Sequence, residues 1–140
     1  MRRKRRSLLL AAILLAAAVL GTGCGRKRAR TLPPPLPPVR TGYTEEGIAS
    51  WYGYPYHGRR TANGEIYDME KLTAAHKTLP FGVWVEVRNK RNAKSVTVRI
   101  NDRGPFIEGR IIDLSRAAAR RIGLITPGTA PVRIKVVRLP

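Results

Sequence analysis

The chain has few of the residues that cross-link small proteins or bind metal ions. It has one cysteine and two histidines among 140 residues. One cysteine cannot form an intramolecular disulfide, which excludes a disulfide-stabilised miniprotein, and this set is too small for a structural zinc cluster. Acidic residues are also scarce, nine against 27 Lys and Arg, for a net charge of +18. That charge favours an anionic partner, whether nucleic acid, anionic lipid or an acidic polymer.

The N-terminus has the three-part pattern of a secretory signal peptide. A basic run at 2–6 precedes 13 apolar residues at 8–20, and small residues then lead to Cys24. The apolar run is shorter than the roughly 17–25 residues of a membrane-spanning helix. Gly23 fits a bacterial lipobox, although Gly21 stands where such motifs usually have Leu. We predict a lipoprotein signal peptide at 1–23 and lipidation of Cys24; the alternative is an ordinary signal peptide with an incidental thiol.

Residues 24–46 have the composition of a tether. The segment 31–40 reads TLPPPLPPVR, and proline favours the extended polyproline II conformation. Basic residues just after Cys24 suit anionic lipid headgroups. We therefore expect 24–46 to be a lipidated N-terminus with a flexible tether, in an exported protein whose lipid anchor holds it at a membrane, facing the periplasm or the cell wall.

The remaining residues, 47–140, have the pattern of a small β domain. Apolar and polar residues alternate at 83–88, 96–101 and 132–136, which predicts half-buried strands, and 111–114 is a shorter strand candidate. Short strands in fewer than a hundred residues favour a closed barrel, which leaves no free sheet edge.

Helical signals in this domain are few. Ser115 can cap a helix over 116–122, with Gly123 as its end. Residues 69–76 are expected to hold one short helical turn. The domain also keeps 17 basic against seven acidic residues, so a net charge of +10 belongs to the folded part.

Six sequence blocks in this domain carry a family resemblance. They are GIASWYG (47–53), HGRRTANGEIYDM (57–69), LTAAHKTLPFG (72–82), VRINDRGPF (98–106), RIIDLSRAAARRIG (110–123) and GTAPVRIKV (128–136). Together they closely resemble the catalytic domain of the rare lipoprotein A (RlpA-like) endolytic peptidoglycan transglycosylases. The resemblance implies a mainly β fold, a six-stranded double-psi β-barrel with one or two short helices. Many members also carry a C-terminal SPOR domain; we expect none here.

The resemblance also implies a reaction. Such an enzyme is a carbon–oxygen lyase that cuts the β-1,4 bond between N-acetylmuramic acid and N-acetylglucosamine without water, leaving a 1,6-anhydro end. One carboxyl group can act as acid and then as base, and we expect no metal or cofactor. The positions matching the family's active residues are Glu65, His76 and Asp102. We assign Asp102, before a tight turn at a barrel rim, as the acid/base, with the other two in support.

Alternatives remain for these residues. Asp102 could instead cap its own turn, and a lone histidine is commonly structural. Asp113 is interpreted as a structural group that binds an arginine or helix amides. Candidate substrate-binding residues are aromatic, as suits the apolar face of a sugar, or polar neighbours of the acids: Trp51, Tyr52, Tyr54, Tyr56, Asn63, Asp68 and Arg103.

The expected partners follow from these assignments. We expect a monomer that binds peptidoglycan glycan strands and, through its anchor, a membrane, but not nucleic acid. The alternative function is a noncatalytic, expansin-like module that binds peptidoglycan or another polysaccharide.

Overall fold

The structure, a computed structural model, describes residues 38–140. The predicted signal peptide, Cys24 and most of the predicted tether lie outside these residues, so they remain predictions. Six strands and one helix follow in chain order: β1 (Thr44–Tyr52), β2 (Thr73–His76), β3 (Trp84–Asn89), β4 (Ser95–Asp102), β5 (Arg110–Ser115), α1 (Arg116–Arg121) and β6 (Ala130–Arg138). No helix within 38–140 is long and apolar enough to cross a membrane.

The six strands close into a barrel in the order β1-β5-β2-β4-β3-β6. Strand β1 is parallel to β5, and β2 is parallel to β4, while the other four pairings are antiparallel. The expectation of a mainly β, six-stranded double-psi barrel is confirmed, with one short helix in the described part of the chain. Closure also pairs every strand on both sides, which removes exposed edges.

Alternation explains the core. In β3, Val85 and Val87 are fully buried, and their counterparts in β4 and β6 are buried with them. Successive side chains of a strand point to opposite faces, so the apolar set of each strand meets inside the barrel. The predicted helix also forms: the Ser115 hydroxyl accepts a hydrogen bond from the Ala118 amide at 3.2 Å, and Gly123 follows with a φ of 70°.

Two segments differ from the sequence-based expectation. The helical turn predicted for 69–76 is wrong at its C-terminal half, because Thr73–His76 form β2, whose four side chains are all buried. Pairing with β4 and β5 on both sides overrides the local helical preference of LTAAH. Strand β1 begins at Thr44, within the segment assigned to the tether. Its charged Glu46 is exposed and bonds Lys90 and Arg133 on the barrel surface.

Candidate active site

Strand register brings two carboxyl groups into one row. Ala75 of β2 pairs with Asp102 of β4 on one side and with Asp113 of β5 on the other. Ser50 of β1 pairs in turn with Asp113. Ala74, one residue earlier, is fully buried in the core. Because neighbours along a strand face opposite ways, the row lies on the face of the sheet away from the core.

An open groove of about 390 Å³ runs over this row. Its lining comes from the row itself, from the aromatic end of β1 and from the loop after β4: Ser50, Trp51, Tyr52, Tyr56, Ala75, Asp102, Arg103, Gly104, Pro105, Phe106, Ile107, Arg110 and Asp113. A second depression shares Trp51, Tyr52 and Tyr56 and adds Tyr54 and Arg116. The two depressions therefore form one extended surface beside the carboxyl groups.

A larger depression, about 740 Å³, lies elsewhere, and Val39, Tyr43 and Pro80 are among its lining residues. None of the described residues that line it is acidic. Glycoside cleavage needs a carboxyl group or an equivalent proton donor. The groove over the carboxyl row is therefore the candidate active site.

Asp102 is held by three donors. Its Oδ1 accepts hydrogen bonds from the backbone amides of Ala62 and Arg103, both at 2.9 Å. The Tyr52 hydroxyl lies 3.4 Å from Oδ2. All three donate to the carboxyl group, so the structure orients Asp102 as an acceptor at the groove. The bond to its own neighbour matches the turn-capping alternative, but the contact with Ala62 reaches a distant loop.

Glu65 is tied to β4 by hydrogen bonds. Arg99 donates to both of its oxygens, at 2.7 and 2.8 Å, and Asn63 and Asn101 donate at 2.9 and 3.2 Å. The hydrogen bonds from Arg99, more than any other contact, lower the pKa of Glu65 to about 2. With so low a pKa, Glu65 stays ionised at neutral pH. Its side chain is not among the groove-lining residues. It fixes the loop whose Ala62 amide bonds Asp102.

His76 is 2% exposed at the end of β2. Its Nδ1 accepts hydrogen bonds from the amides of Thr78 and Leu79, at 3.2 and 3.1 Å, so the ring proton belongs on Nε2, which lies 3.1 Å from Glu45. Burial lowers the pKa of His76, against the opposing effect of Glu45. The ring thus faces away from the groove and shapes the 76–79 turn. Carbonyls of that turn accept from Arg103.

The predicted aromatic residues lie in the groove, in the second depression or in both. Trp51 lines the groove and also packs against the core. Tyr52 stacks on Tyr67 with ring centres 4.2 Å apart, and burial raises the pKa of its hydroxyl. Tyr56 meets Tyr52 edge-on, while Tyr54 is 75% exposed in the second depression.

Of the predicted polar substrate-binding residues, only Arg103 is among those that line the groove. Arg103 lines the groove, donates to Leu79 at 2.9 Å and lies over the Phe81 ring at 3.8 Å. Asn63 is occupied with the Glu65 loop. Asp68 accepts from the Glu70 amide and lies 4.0 Å from His57. Neither Asn63 nor Asp68 is among the groove-lining residues.

Sequence reasoning missed part of the groove. Phe106, which is 84% exposed, and Ile107 also line the groove. An apolar pair directly after the NDRGP turn was the signal that could have revealed it. Asp113 was set aside as structural, yet it lines the groove and its pKa is raised, chiefly by burial. Its alternation with buried Ile112 and Leu114 already placed it on the face away from the core.

Metal ligands do not cluster in this region. Among the residues that the structure describes, no three His, Cys, Asp or Glu side chains are grouped so that they could hold a metal ion.

The family profile described as "Lytic transglycolase" matches residues 44–134, which include every strand of the carboxyl row. The chain belongs to this family. It is 62% identical over 96 residues to the endolytic peptidoglycan transglycosylase RlpA of Vibrio cholerae, an alignment that covers 69% of this chain and 36% of that protein. Identity to the protein of the same name from Campylobacter jejuni is 57% over 99 residues, covering 71% and 36%. The chain thus spans about a third of the length of these curated relatives.

Solved structures support the fold of this lytic transglycolase family member. The Streptomyces papain inhibitor superimposes with a TM-score of 0.60 at 25% identity, covering 72% of this chain and all of the inhibitor. An expansin of Clavibacter michiganensis superimposes with a TM-score of 0.56 at 21% identity, covering 70% and 52%. The expansin likeness concerns the fold alone.

Proposed function

We propose that this protein is an endolytic lytic transglycosylase of peptidoglycan. It cleaves the β-1,4 bond between N-acetylmuramic acid and N-acetylglucosamine within a glycan strand and leaves a 1,6-anhydro end. The observation that carries the proposal is the Asp102 carboxyl group, oriented by Ala62, Arg103 and Tyr52 at the edge of an open groove. Family membership and the names of the similar proteins support the same reaction.

The groove suits a polymeric sugar. Tyr52, Tyr56 and Phe106 in its lining offer apolar surfaces on which sugar rings can pack. Arg103 and Arg110 in the same lining can bind the lactyl or stem-peptide carboxylates of muramyl residues. Continuity with the second depression lengthens this surface, which suits a polymeric substrate.

The reaction needs two proton transfers and no water. One proton goes to the glycosidic oxygen as its bond to the muramyl C1 breaks. The C6 hydroxyl of the same muramyl residue then bonds to C1, and its proton passes to a carboxylate. The sequence-based hypothesis gives both transfers to Asp102. The three donors around Asp102 support the accepting step directly, because the group is already oriented as an acceptor.

Glu65 and His76 act in this proposal as positioning residues. Glu65 holds the loop that brings the Ala62 amide to Asp102. His76 shapes the turn whose carbonyls hold the Arg103 side chain beside Asp102. Neither side chain lines the groove, so neither is assigned contact with the reacting atoms.

Export and anchoring are a further part of the proposal. The basic, apolar and small-residue pattern before Cys24 supports a lipid anchor that holds the domain near the cell wall. Palmitate labelling of cells checks this: label should appear on the protein and be lost in Cys24→Ala. Unchanged labelling of the variant would refute it. The expansin-like binding alternative is not favoured, because the family match points to cleavage and the expansin likeness concerns only the fold.

Digestion of purified sacculi tests the activity. The full chain should release muropeptides with 1,6-anhydro ends, identified by mass spectrometry. Asp102→Asn should lower their release by about 10²–10⁴-fold, because a positioned proton-transfer group is lost. Glu86→Gln, on β3 across the barrel, is the matched control and should leave the release unchanged. Reducing ends without anhydro products, or no cleavage by the wild-type chain, would overturn the proposal.

A further inference from the structure

We propose that Asp113 is the proton donor of this site and that Asp102 is its proton acceptor. The inference rests on the proposed transglycosylase reaction and divides its two proton transfers between two carboxyl groups. It replaces the interpretation of Asp113 as a structural group and the assignment of both transfers to Asp102. Three features of the described residues lead to it: the strand register, the loop after β4 and the surroundings of the Asp113 carboxyl group.

The register sets the spacing of the two groups. Asp102 and Asp113 flank Ala75 on opposite sides of β2. Adjacent strands lie about 4.8 Å apart, so the two backbones are separated by roughly 10 Å. Both side chains and Ala75 line the same groove. Because the residue between them is only an alanine, the floor is low there and a sugar ring has room between the two carboxyl groups.

The loop after β4 connects the surroundings of the Asp102 and Asp113 carboxyl groups. Gly104, two residues after Asp102, has a φ of +125°, which strongly favours glycine. A Cβ at this position would lie 3.9 Å from Oδ2 of Asp113. The turn that begins at Asp102 therefore passes close to the Asp113 carboxyl group. One carboxyl group faces the groove from β4 and the other from β5.

The surroundings of Asp113 suit a group that holds a proton. Burial is the main cause that raises its pKa, and the nearby charge of Asp102 raises it further. The Ser50 hydroxyl from β1 and the Arg110 charge from its own strand act in the opposite direction. Tyr52, also from β1, is the remaining titratable neighbour. Asp113 has the Ser50 side-chain hydrogen bond and no ion pair among the described residues.

The division balances every atom. Asp113 gives its proton to the O4 of N-acetylglucosamine as the C1–O4 bond breaks, and Asp113 becomes a carboxylate. The muramyl O6 bonds to C1, and its proton passes to the Asp102 carboxylate. Exchange with solvent then returns the proton from Asp102 and protonates Asp113 for the next turnover. No oxidant, metal or water molecule is consumed, and the strand leaves as two pieces.

Variants of the full chain test the inference on sacculi and on an activated substrate. Asp113→Asn, which can keep the bond to Ser50, should lower anhydro-muropeptide release by about 10²–10⁴-fold. A 4-nitrophenyl glycoside of a muramyl-terminated oligosaccharide needs no protonation of its leaving group. On that substrate Asp113→Asn should act within about tenfold of wild type, whereas Asp102→Asn should stay inactive. Glu86→Gln is the unaffected control.

A second variant gives an independent measurement. Ser50→Ala removes the hydroxyl that lowers the pKa of Asp113, so that pKa should rise. A general acid must be protonated, so activity falls as pH rises through its pKa. The alkaline limb of the pH–rate profile should therefore move to higher pH in Ser50→Ala. A merely structural role for Asp113 would lower activity without moving that limb.

The outcomes separate this inference from the proposed function. Anhydro products from the wild-type chain together with full activity of Asp113→Asn would overturn the inference alone. Absence of anhydro products from the wild-type chain would overturn the proposed function. Where Asp113→Asn fails to fold by circular dichroism, Ser50→Ala decides, and an unmoved alkaline limb counts against Asp113 as the donor. Failure of the activated substrate to restore folded Asp113→Asn counts against it too.

Discussion

On the two sides of the groove, the pKa values of the Glu65 and Asp113 carboxyl groups are shifted in opposite directions. On the β4 side, Glu65 has a side chain that is 41% exposed, yet four donors hold it and lower its pKa to about 2. On the β5 side, Asp113 is half-buried, with the Ser50 hydroxyl as its side-chain hydrogen-bond partner, and burial raises its pKa. Hydrogen bonds from Arg99 dominate the pKa shift of Glu65, whereas burial dominates the pKa shift of Asp113. The permanent charge of Glu65 suits a residue that positions a loop, whereas the raised pKa of Asp113 suits a residue that donates a proton.

The largest expected effect comes from His76, at the end of β2, the strand that lies between the two sides. His76→Ala leaves the amides of Thr78 and Leu79 without their acceptor and opens a buried space. The free energy of unfolding should fall by about 2–4 kcal/mol, measured by urea denaturation. His57→Ala is the matched control, because its ring is 36% exposed and accepts one amide. Equal losses for the two variants would contradict the role given to His76.

The same variant carries a pH signature. Burial lowers the pKa of His76 in the folded domain, so the unfolded chain binds a proton more readily. This contribution to stability is complete above the unfolded pKa of about 6.5 and is lost as pH falls through the lower folded value. His76→Ala should therefore lose less stability than wild type between pH 7.5 and pH 5. An identical pH dependence would show that the ring is not held neutral.

A smaller effect is expected for Glu65→Gln. The charged pair with Arg99 is partly exposed, so its loss should cost about 1 kcal/mol of stability. Activity should fall by about tenfold because the Ala62 amide is no longer held against Asp102. The alkaline limb of the pH–rate profile should stay in place, unlike that of Ser50→Ala. This contrast sharpens the comparison between the two sides, and a shifted limb would assign Glu65 a part in proton transfer.

Glu46→Gln is the control for that variant. Glu46 also bonds two cations, Lys90 at 2.7 Å and Arg133 at 2.8 Å, but it lies on the barrel surface and does not line the groove. It should lose a comparable amount of stability and keep full activity. Loss of activity in Glu46→Gln would mean that the effect of Glu65→Gln reflects general weakening of the barrel.

Local patterns predicted a large part of the fold. Alternation identified β3, β4 and β6, and the Ser115 cap identified α1. The same patterns missed β2, since a short run of small residues has no period, and its four residues become a strand only by pairing on both sides. The start of β1 was also missed, because a charged residue such as Glu46 is typical of a linker. Its partners on the barrel surface, Lys90 and Arg133, are known only from the structure.

The site residues also differ in how far the sequence could predict them. Asp102 could be proposed from the sequence, because it follows an alternating strand and precedes a tight turn. The fixed positions of Glu65 and His76 could not, since their partners come from other strands and turns. Their part as supports, and the place of Phe106 in the lining, follow only from the folded groove.

The sequence by itself determined strands β3, β4 and β6, the basic character of the domain and the family to which it belongs. Alternation, composition and motif blocks are local properties, so a single chain displays them without its fold. Only the tertiary structure decided that Asp113 shares a groove with Asp102. Strand β4 pairs with one side of β2 in parallel and β5 pairs with the other side antiparallel, and pairing between strands distant along the chain is not written in local sequence.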